Sequence, residues 1–380
     1  MSMKFALPFL LTPIAALANQ AQDIERITVS TTRSTAPVST VPATISVITS
    51  EDIAEQLAHT QDLSQILGNL LPSFSPSRQK MTSAGETLRG REPLYMIDGV
   101  PQSNPLRNGS RDGNTIDPAM IERIEVISGA NAIQGMGASG GIINIITKSA
   151  GDFNHQMSAG FSTPTDGGSD SQSYKASYLF SQQLDDISFI GGVSARSTGM
   201  YRDGNGDFIG LDGTQGDTQD STSLDLFLKV KYQLDNEQSI QAMLNHYKIE
   251  GNGDFVAING DPTTGLATSA EKGDIEGDAP RNRVTTFTLD YNHTNIAGGN
   301  LAVQLFTQDF AAMYGGGTFG TFQDPEFGEN LYDQSQNKSQ KFGSRVTYNK
   351  DNLLSSQFDI ATGIDLLSDE TYQELAQTGR

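Results

Sequence analysis

The feature that most constrains this chain is a two-residue rhythm that starts near Asp152 and returns throughout the C-terminal 230 residues. In 224–232 one face carries Leu224, Leu226, Leu228, Val230 and Tyr232, and the other carries Asp225, Phe227, Lys229 and Lys231. Tyr174, Ala176, Tyr178 and Phe180 alternate with Ser173, Lys175, Ser177 and Leu179. Phe287, Leu289 and Tyr291 alternate with Thr286, Thr288, Asp290 and Asn292, and Phe358, Ile360, Ile364 and Leu366 oppose Asp359, Ala361 and Asp365. A period of two is strand grammar, because successive Cβ atoms point to opposite faces. Short turns at 234–238 and 295–300 alternate with long Gly/Asp-rich connections at 198–221 and 250–283. Segments of about ten residues, aromatics near their ends and short-then-long loops form the pattern of a transmembrane β-barrel. A soluble sandwich shows the same alternation, but the loop asymmetry and the export context favour the barrel.

That export context comes from the first eighteen residues. Lys4 precedes the apolar run Phe5-Ala6-Leu7-Pro8-Phe9-Leu10-Leu11, and Ala16-Leu17-Ala18 offers a small-x-small cleavage site. Pro8 and Pro13 argue against a buried helix there. The run 5–18 is too short for a spanning helix. The 380 residues contain no cysteine, which excludes disulfide frameworks, thiolate metal sites, cysteine nucleophiles and a lipidated N-terminus. A net charge of −20 argues against general nucleic-acid binding. With 39 Gly and 14 Pro, the composition suits turn-rich β structure.

Residues 41–150 follow a different, α/β grammar. Ile45, Val47 and Ile48 read as a strand, and Ser50 as the cap of a helix with Glu51 and Asp52 in its first turn. Leu63, Ile66, Leu67, Leu70 and Leu71 make one helical stripe that Pro72 ends. Leu94-Tyr95-Met96-Ile97 is a strand entering the turn pair Asp98-Gly99. Asp117-Pro118 is a cap with proline at the first helical position, and the β-branched runs 124–127 and 142–147 are paired strands.

Most motif matches fail on context. Gly135-Met136-Gly137-Ala138-Ser139-Gly140 fits a dinucleotide loop, and Gly137-Ala138-Ser139-Gly140-Gly141 fits a nucleophile elbow. Both must open a helix, whereas Ile142-Ile143-Asn144-Ile145-Ile146 is strand chemistry. Asp203, Asn205 and Asp207 have calcium-loop spacing, but Phe208 and Thr214 stand where glycine and glutamate are needed. The run 204–209 recurs as 251–256, so either two Gly/Asn/Asp turns are built alike or a weak calcium clamp orders these loops. His59, His155, His246 and His293 show no ligand spacing, and nothing points to an enzyme.

After the leader, the chain resembles the TonB-dependent outer-membrane receptors. Pro42-Ala43-Thr44-Ile45-Ser46-Val47-Ile48-Thr49 is similar to the family's plug-opening strand. Leu88-Arg89-Gly90 with Tyr95-Met96-Ile97-Asp98-Gly99-Val100-Pro101 is similar to its central motif. Ile121-Glu122-Arg123-Ile124-Glu125-Val126-Ile127-Ser128-Gly129, leading to Gly140-Gly141-Ile142-Ile143-Asn144-Ile145-Ile146-Thr147-Lys148, is the most specific stretch. The Ser128-Gly129-Ala130 wording resembles ferric-siderophore receptors, including the ferric-aerobactin type. Glu25, Arg26, Ile27, Thr28, Val29, Ser30 and Thr31 are similar to the Ton box.

The resemblance implies an α/β plug domain followed by an antiparallel transmembrane β-barrel, 22-stranded in the family. Its parts would be a signal peptide (1–18), Ton box and linker (19–40), plug (41–150) and the N-terminal part of the barrel (151–380). About nine strand candidates fit into 230 residues, while 22 strands need on the order of 450, so the chain reads as an incomplete barrel and an N-terminal fragment. The implied function is TonB-energised import of a ferric siderophore across the outer membrane of a Gram-negative bacterium. Cobalamin, a carbohydrate or another metal chelate stands as the alternative cargo, and a non-functional truncated fragment as the alternative state. The implied partners are TonB with ExbB and ExbD, outer-membrane lipid and the chelate, for a monomer with no cofactor of its own. Arg89, Glu122 and Arg123 resemble the charged residues that lock plug to wall, with carboxylate partners beyond this sequence.

Charge adds an expectation about the ligand. From 78 to 111 there are six basic residues (Arg78, Lys80, Arg89, Arg91, Arg107, Arg111) against three acids (Glu86, Glu92, Asp98), so this stretch is +3 within a chain of −20. If 72–86 and 102–114 are outward apices, as is usual in the family, an anionic ligand is favoured there. Arg78, Arg107 and Arg111 are then expected to touch it, with Asn104 and Asn108 donating hydrogen bonds.

Overall fold

The structure is a computed structural model. It describes residues 44–378 except 105, 108, 132, 133, 136, 152, 166, 319–330 and 353–357, together with the backbone of 28–29 and 36–37.

The first unit is built on five strands: β1 (Thr44–Ile48), β2 (Pro93–Ile97), β3 (Val100–Pro101), β4 (Ile121–Ser128) and β5 (Gly141–Thr147). Their spatial order is β1-β4-β5-β2-β3, antiparallel except for the parallel β5–β2 pair. Two helices follow β1, α1 (Ser50–Leu57) and α2 (Leu63–Leu70). Thr49, rather than Ser50, caps α1. Its side chain accepts from the Asp52 N–H at 3.2 Å while the Asp52 carboxylate accepts from the Thr49 N–H at 2.9 Å, so both partners satisfy an orphan donor. Leu63, Ile66 and Leu67 form the buried side of α2, and Leu71, also buried, closes it. Asp117 and Pro118 open only one 3-10 turn, Pro118–Met120, before β4 begins.

The second unit is one nine-stranded sheet, the wall. Its strands are β6 (His155–Ser162), β7 (Ser173–Leu184), β8 (Ile187–Thr198), β9 (Ser221–Gln233) and β10 (Gln238–Gly251). A small hairpin, β11 (Phe255–Ile258) and β12 (Ser269–Lys272), interrupts before β13 (Arg281–Ile296), β14 (Gly299–Met313), β15 (Tyr332–Asn352) and β16 (Phe358–Thr378). Every wall strand pairs antiparallel with its neighbour along the chain, β10 meeting β13 across the inserted hairpin. The turns at 185–186, 234–237 and 297–298 are tight and lie at one end, and the long connections lie at the other.

Burial follows the alternation, with its usual sense reversed. On β9, Leu224, Leu226 and Leu228 are 40–46% exposed, while Asp225, Phe227 and Lys229 are at most 5% exposed. Apolar outside and polar inside is what lipid on one face and a packed lumen on the other require. A soluble sandwich turns its apolar face inward. The lumen is filled by the first unit. Ile48, Ile53, Leu67, Ile97, Met120, Ile124 and Ile145 share a single hydrophobic cluster with Leu179, Ile190, Phe227 and Met243 of the wall. The two units therefore pack as plug and wall.

The glycines at the start of β5 serve this packing. A Cβ on Gly140 would lie 2.3 Å from the Arg91 carbonyl, and one on Gly141, at φ +140°, would lie 2.1 Å from that of Ile127. They let strands close on one another and open no helix.

Candidate functional site

The plug is gripped at its tightest turn. Asp98 (φ 44°) and Gly99 (φ 85°) both take left-handed backbone, which a two-residue hairpin needs, and this joins β2 to β3. Three long cations on inward wall positions converge there. Lys229 pairs with Asp98 at 3.0 Å and donates to the Thr147 carbonyl at 3.2 Å. Arg345 donates to the Gly99 carbonyl at 3.1 Å, and Lys341 to that of Pro101 at 3.2 Å. Asp98 also accepts from the Thr147 N–H and hydroxyl. Deeper on β9, Asp225 accepts from the Asp117 N–H at 2.6 Å. These contacts cross between units in a water-poor seam, where unmade bonds are expensive.

The turns at 72–86 and 102–114 rise at the long-loop end. Lys80 reaches Asp217 at 2.6 Å and Asp212 at 3.6 Å, and the Met81 N–H donates to the Gly216 carbonyl. Ser110 and Tyr314 share a hydroxyl hydrogen bond of 3.0 Å. The guanidiniums of Arg107 and Arg111 stand 4.4 and 4.5 Å from the centre of the Tyr314 ring, in cation–π range. A cavity of about 530 Å³ opens among the long loops, lined by Met81, Leu211, Phe255 and Tyr332 and, as its charged residues, only by the acids Asp212, Asp217, Asp220, Glu276 and Asp278. A second cleft of about 630 Å³ lies at the tight-turn end between Arg123, Asp98, Asp290 and Arg345.

Two plug carboxyls are buried beneath the apices. Burial pushes Glu86 up to about 7, only partly offset by hydrogen bonds from Ser64 and Tyr95. Burial likewise pushes Asp112 up to about 8 against the pull of Lys341.

The family model of the TonB-dependent Receptor Plug Domain matches residues 37–142. A ferric aerobactin receptor of Klebsiella pneumoniae is 29% identical over 97% of this chain and 51% of its own length. The chain belongs to the TonB-dependent receptor family. A rhizobactin receptor of Rhizobium meliloti is 31% identical over 76% of the chain and 40% of that protein. The fold is shared with the unliganded ferric citrate transporter FecA, at a TM-score of 0.65 and 16% identity over 89% of this chain and 49% of that one. It is shared as well with the ferripyoverdine receptor of Pseudomonas aeruginosa bound to ferripyoverdine, at a TM-score of 0.57 and 16% identity over 92% and 45%. The chain spans about half the length of the curated relatives it matches. These relatives are receptors and transporters, not enzymes.

Arg107 lies half-buried on Tyr314 at the apex. Arg111 is wholly buried, turned to the wall instead of the open cavity. Asn104 is buried too, its side-chain oxygen taken by the Leu106 N–H at 2.9 Å. Arg78 is exposed and donates to the Ala84 carbonyl across its own turn. Asn108 lies outside the described residues. Of the Ton-box residues, Glu25, Arg26, Ile27, Ser30 and Thr31 lie outside them as well, and Thr28–Val29 is described only as backbone paired with Ala36–Pro37.

The lock residues are engaged within the plug. Arg123 pairs with Glu122 at 3.1 Å and Glu125 at 2.8 Å, and Arg89 is exposed at φ 54°. Among the described residues, neither arginine forms an ion pair with the nine wall strands. The crossing pairs found there are Lys229–Asp98 and Lys80 with Asp217 and Asp212. The signal of Lys229 in the sequence is its place, with Asp225, on the face opposite three leucines, which marks both as lumen-facing. In the repeated loops, the Asp203 carboxylate accepts from the N–H groups of Asn205 and Asp207, and Asn252 and Asp254 donate to Asp220.

Proposed function

We propose that this chain is the leader, plug and first part of the wall of a receptor that imports a ferric siderophore across the outer membrane of a Gram-negative bacterium. The observation that carries the reading is a plug seated in an inward-polar wall, packed against it through a shared hydrophobic cluster, with Arg107 held on Tyr314 at the long-loop end. Arg107, half-buried on Tyr314 at the apex, offers positive charge to an anionic chelate that approaches from the long-loop end. The names of the relatives support iron chelates of the aerobactin and rhizobactin kind as cargo. TonB, with ExbB and ExbD, would supply force by pairing with 25–31 as an added strand, so that pull passes through backbone hydrogen bonds. The receptor needs no resident cofactor in this reading, because iron arrives as chelate.

The test is growth and radioactive iron uptake in an iron-starved strain given ferric aerobactin as its sole iron source. Deleting 25–31 should abolish uptake while leaving chelate binding intact, and Arg107→Gln should weaken binding about tenfold. Uptake that survives the deletion would refute the energised mechanism. Competition by cobalamin, with no effect of ferric aerobactin, would reassign the cargo.

A further inference from the structure

A cavity of about 380 Å³ lies in the seam between the α1–α2 turn of the plug and the inner faces of β6, β7 and β8. Its walls include Thr60, Asp62, Lys175, Arg196, Thr198 and Tyr201. Lys175 and Arg196 are cross-strand partners on β7 and β8, each two residues from the long-loop end of its strand. Like charges set directly opposite one another destabilise a sheet, and a seam poor in water strengthens the repulsion. Among the described residues neither cation forms an ion pair. Lys175 donates to the Leu57 carbonyl at the end of α1, and Arg196 donates from Nη1 to the Gln61 carbonyl at 2.9 Å. Neutral carbonyls thus stand where carboxylates would be expected.

Arg196 is incompletely bonded even so. Its Nε is buried without an acceptor, and the described residues offer its Nη2 none. Nε and Nη2 form the edge of a guanidinium that takes a carboxylate through two parallel hydrogen bonds. The acid on the cavity wall is already committed. Asp62 caps α2 by accepting from the Ser64 N–H at 2.9 Å, and it accepts from the Ser77 hydroxyl at 2.7 Å. Asp117, whose charge also acts on Arg196, is buried and does not line the cavity. The walls therefore carry two cations against one capped acid, whereas the charged walls of the long-loop cavity are all acidic.

We propose that this seam cavity is a carboxylate-binding site, in which Arg196 grips a carboxylate through its Nε–Nη2 edge and Lys175 neutralises it from the facing strand. The carboxylate belongs to a small free acid or to an arm of a larger anion such as a chelate, and the recognition chemistry is the same for both. Binding gives the buried N–H its acceptor and removes the repulsion between the facing cations, the two costs that the carbonyls leave in place. A neutral isostere of the ligand relieves neither charge. The site stands on its own geometry, apart from the cargo reading above.

Ser162→Cys on β6 places a thiol on the cavity wall. The experiment uses the intact receptor in lipid vesicles, with the receptor lacking the added thiol as blank. The probes are succinate, its neutral diamide and ferric aerobactin. Succinate at millimolar concentration should slow labelling by a neutral maleimide several-fold, and the diamide should not. Arg196→Gln, which keeps an amide donor for the Gln61 carbonyl, should weaken this protection about tenfold. Protection by succinate alone assigns the site to free acids. Protection by ferric aerobactin that Arg196→Gln lifts assigns it to the arm of a chelate. No protection by either anion, or equal protection by succinate and its diamide, would overturn the proposal. Should Arg196→Gln fail to assemble, the Ser162→Cys receptor decides by itself. An anionic methanethiosulfonate should label its thiol faster than a cationic one of like size, and the reverse order would overturn the site. Failure of ferric aerobactin to bind anywhere removes the cargo reading and leaves the succinate result to judge the cavity.

Discussion

Removing Lys229 tests whether the wall holds the plug by its hairpin. The Lys229–Asp98 pair spans 3.0 Å with side chains 6% and 15% exposed. In Lys229→Met, Asp98 keeps the Thr147 N–H at 3.0 Å and its hydroxyl at 2.6 Å but loses its counter-charge. Breaking one side of a buried pair costs about 3–5 kcal/mol. The two Thr147 bonds and the residual exposure of Asp98 place this case near the lower end, about 3 kcal/mol. At about 1.4 kcal/mol per tenfold, plug opening should become ~10²-fold more frequent. The assay is thiol labelling at Ala119→Cys, a plug position 8% exposed, whose rate tracks the open fraction in an otherwise cysteine-free chain. Adding Asp98→Asn to Lys229→Met should recover most of the loss, since asparagine suits a two-residue hairpin and no charge is left buried. A labelling rate within about threefold of the parent's in the single variant, well below the ~10² expected, would refute the argument. A double variant no better than the single one would refute it too.

Three other outcomes follow from the same structure. Glu86, held up at about 7 by burial, is protonated in the folded plug where the unfolded chain, at 4.5, has already ionised. Its contribution is whole below about 4.5 and lost as pH rises through about 7. Urea midpoints of the plug at pH 5 and pH 7.5 should therefore fall in the parent and fall less in Glu86→Gln, by at most ~3 kcal/mol, and equal declines would contradict this. Leu226→Arg, on the outer face of β9, should cost ~2–4 kcal/mol of folding into bilayers, whereas a change under ~0.5 kcal/mol is what an ordinary wet surface gives. Gly141→Ala should cost more than ~2 kcal/mol, because its Cβ meets the Ile127 carbonyl at 2.1 Å, and normal heat-modifiable receptor in the membrane would count against it.

The sequence was legible where one residue's environment follows from its neighbours in the chain. The faces of β9 could be read from Leu224, Leu226 and Leu228 against Asp225 and Lys229, and the β2–β3 hairpin from Asp98-Gly99, because both depend on local geometry. The grip on that hairpin was not legible. Which inward charge meets which plug group depends on how far the plug is turned within the wall, as Asp225 accepting from the Asp117 N–H shows across 108 positions. The apex misleads for a related reason. Arg111 stands in a basic stretch that suggests an exposed contact, and only Tyr314, more than two hundred residues on, turns it inward. Ser50 and Thr49 compete for one cap, and the reciprocal bond with Asp52 settles it for Thr49 in a way that propensity alone does not.

The ladder of the wall has a consequence for the order in which the molecule is made. Its strands bind their chain neighbours, so the meander can grow hairpin by hairpin with little loop entropy lost at each step. The plug is wired differently. Its parallel β2–β5 pair joins residues some fifty positions apart, and its bonds to the wall close loops of 82 to 246 residues. Contacts that close so late in the chain add little to the rate of wall assembly. They arrive as a separate docking step, with its own barrier and its own reverse rate. The plug can therefore leave its seat by reversing that last step, without a single rung of the wall coming apart.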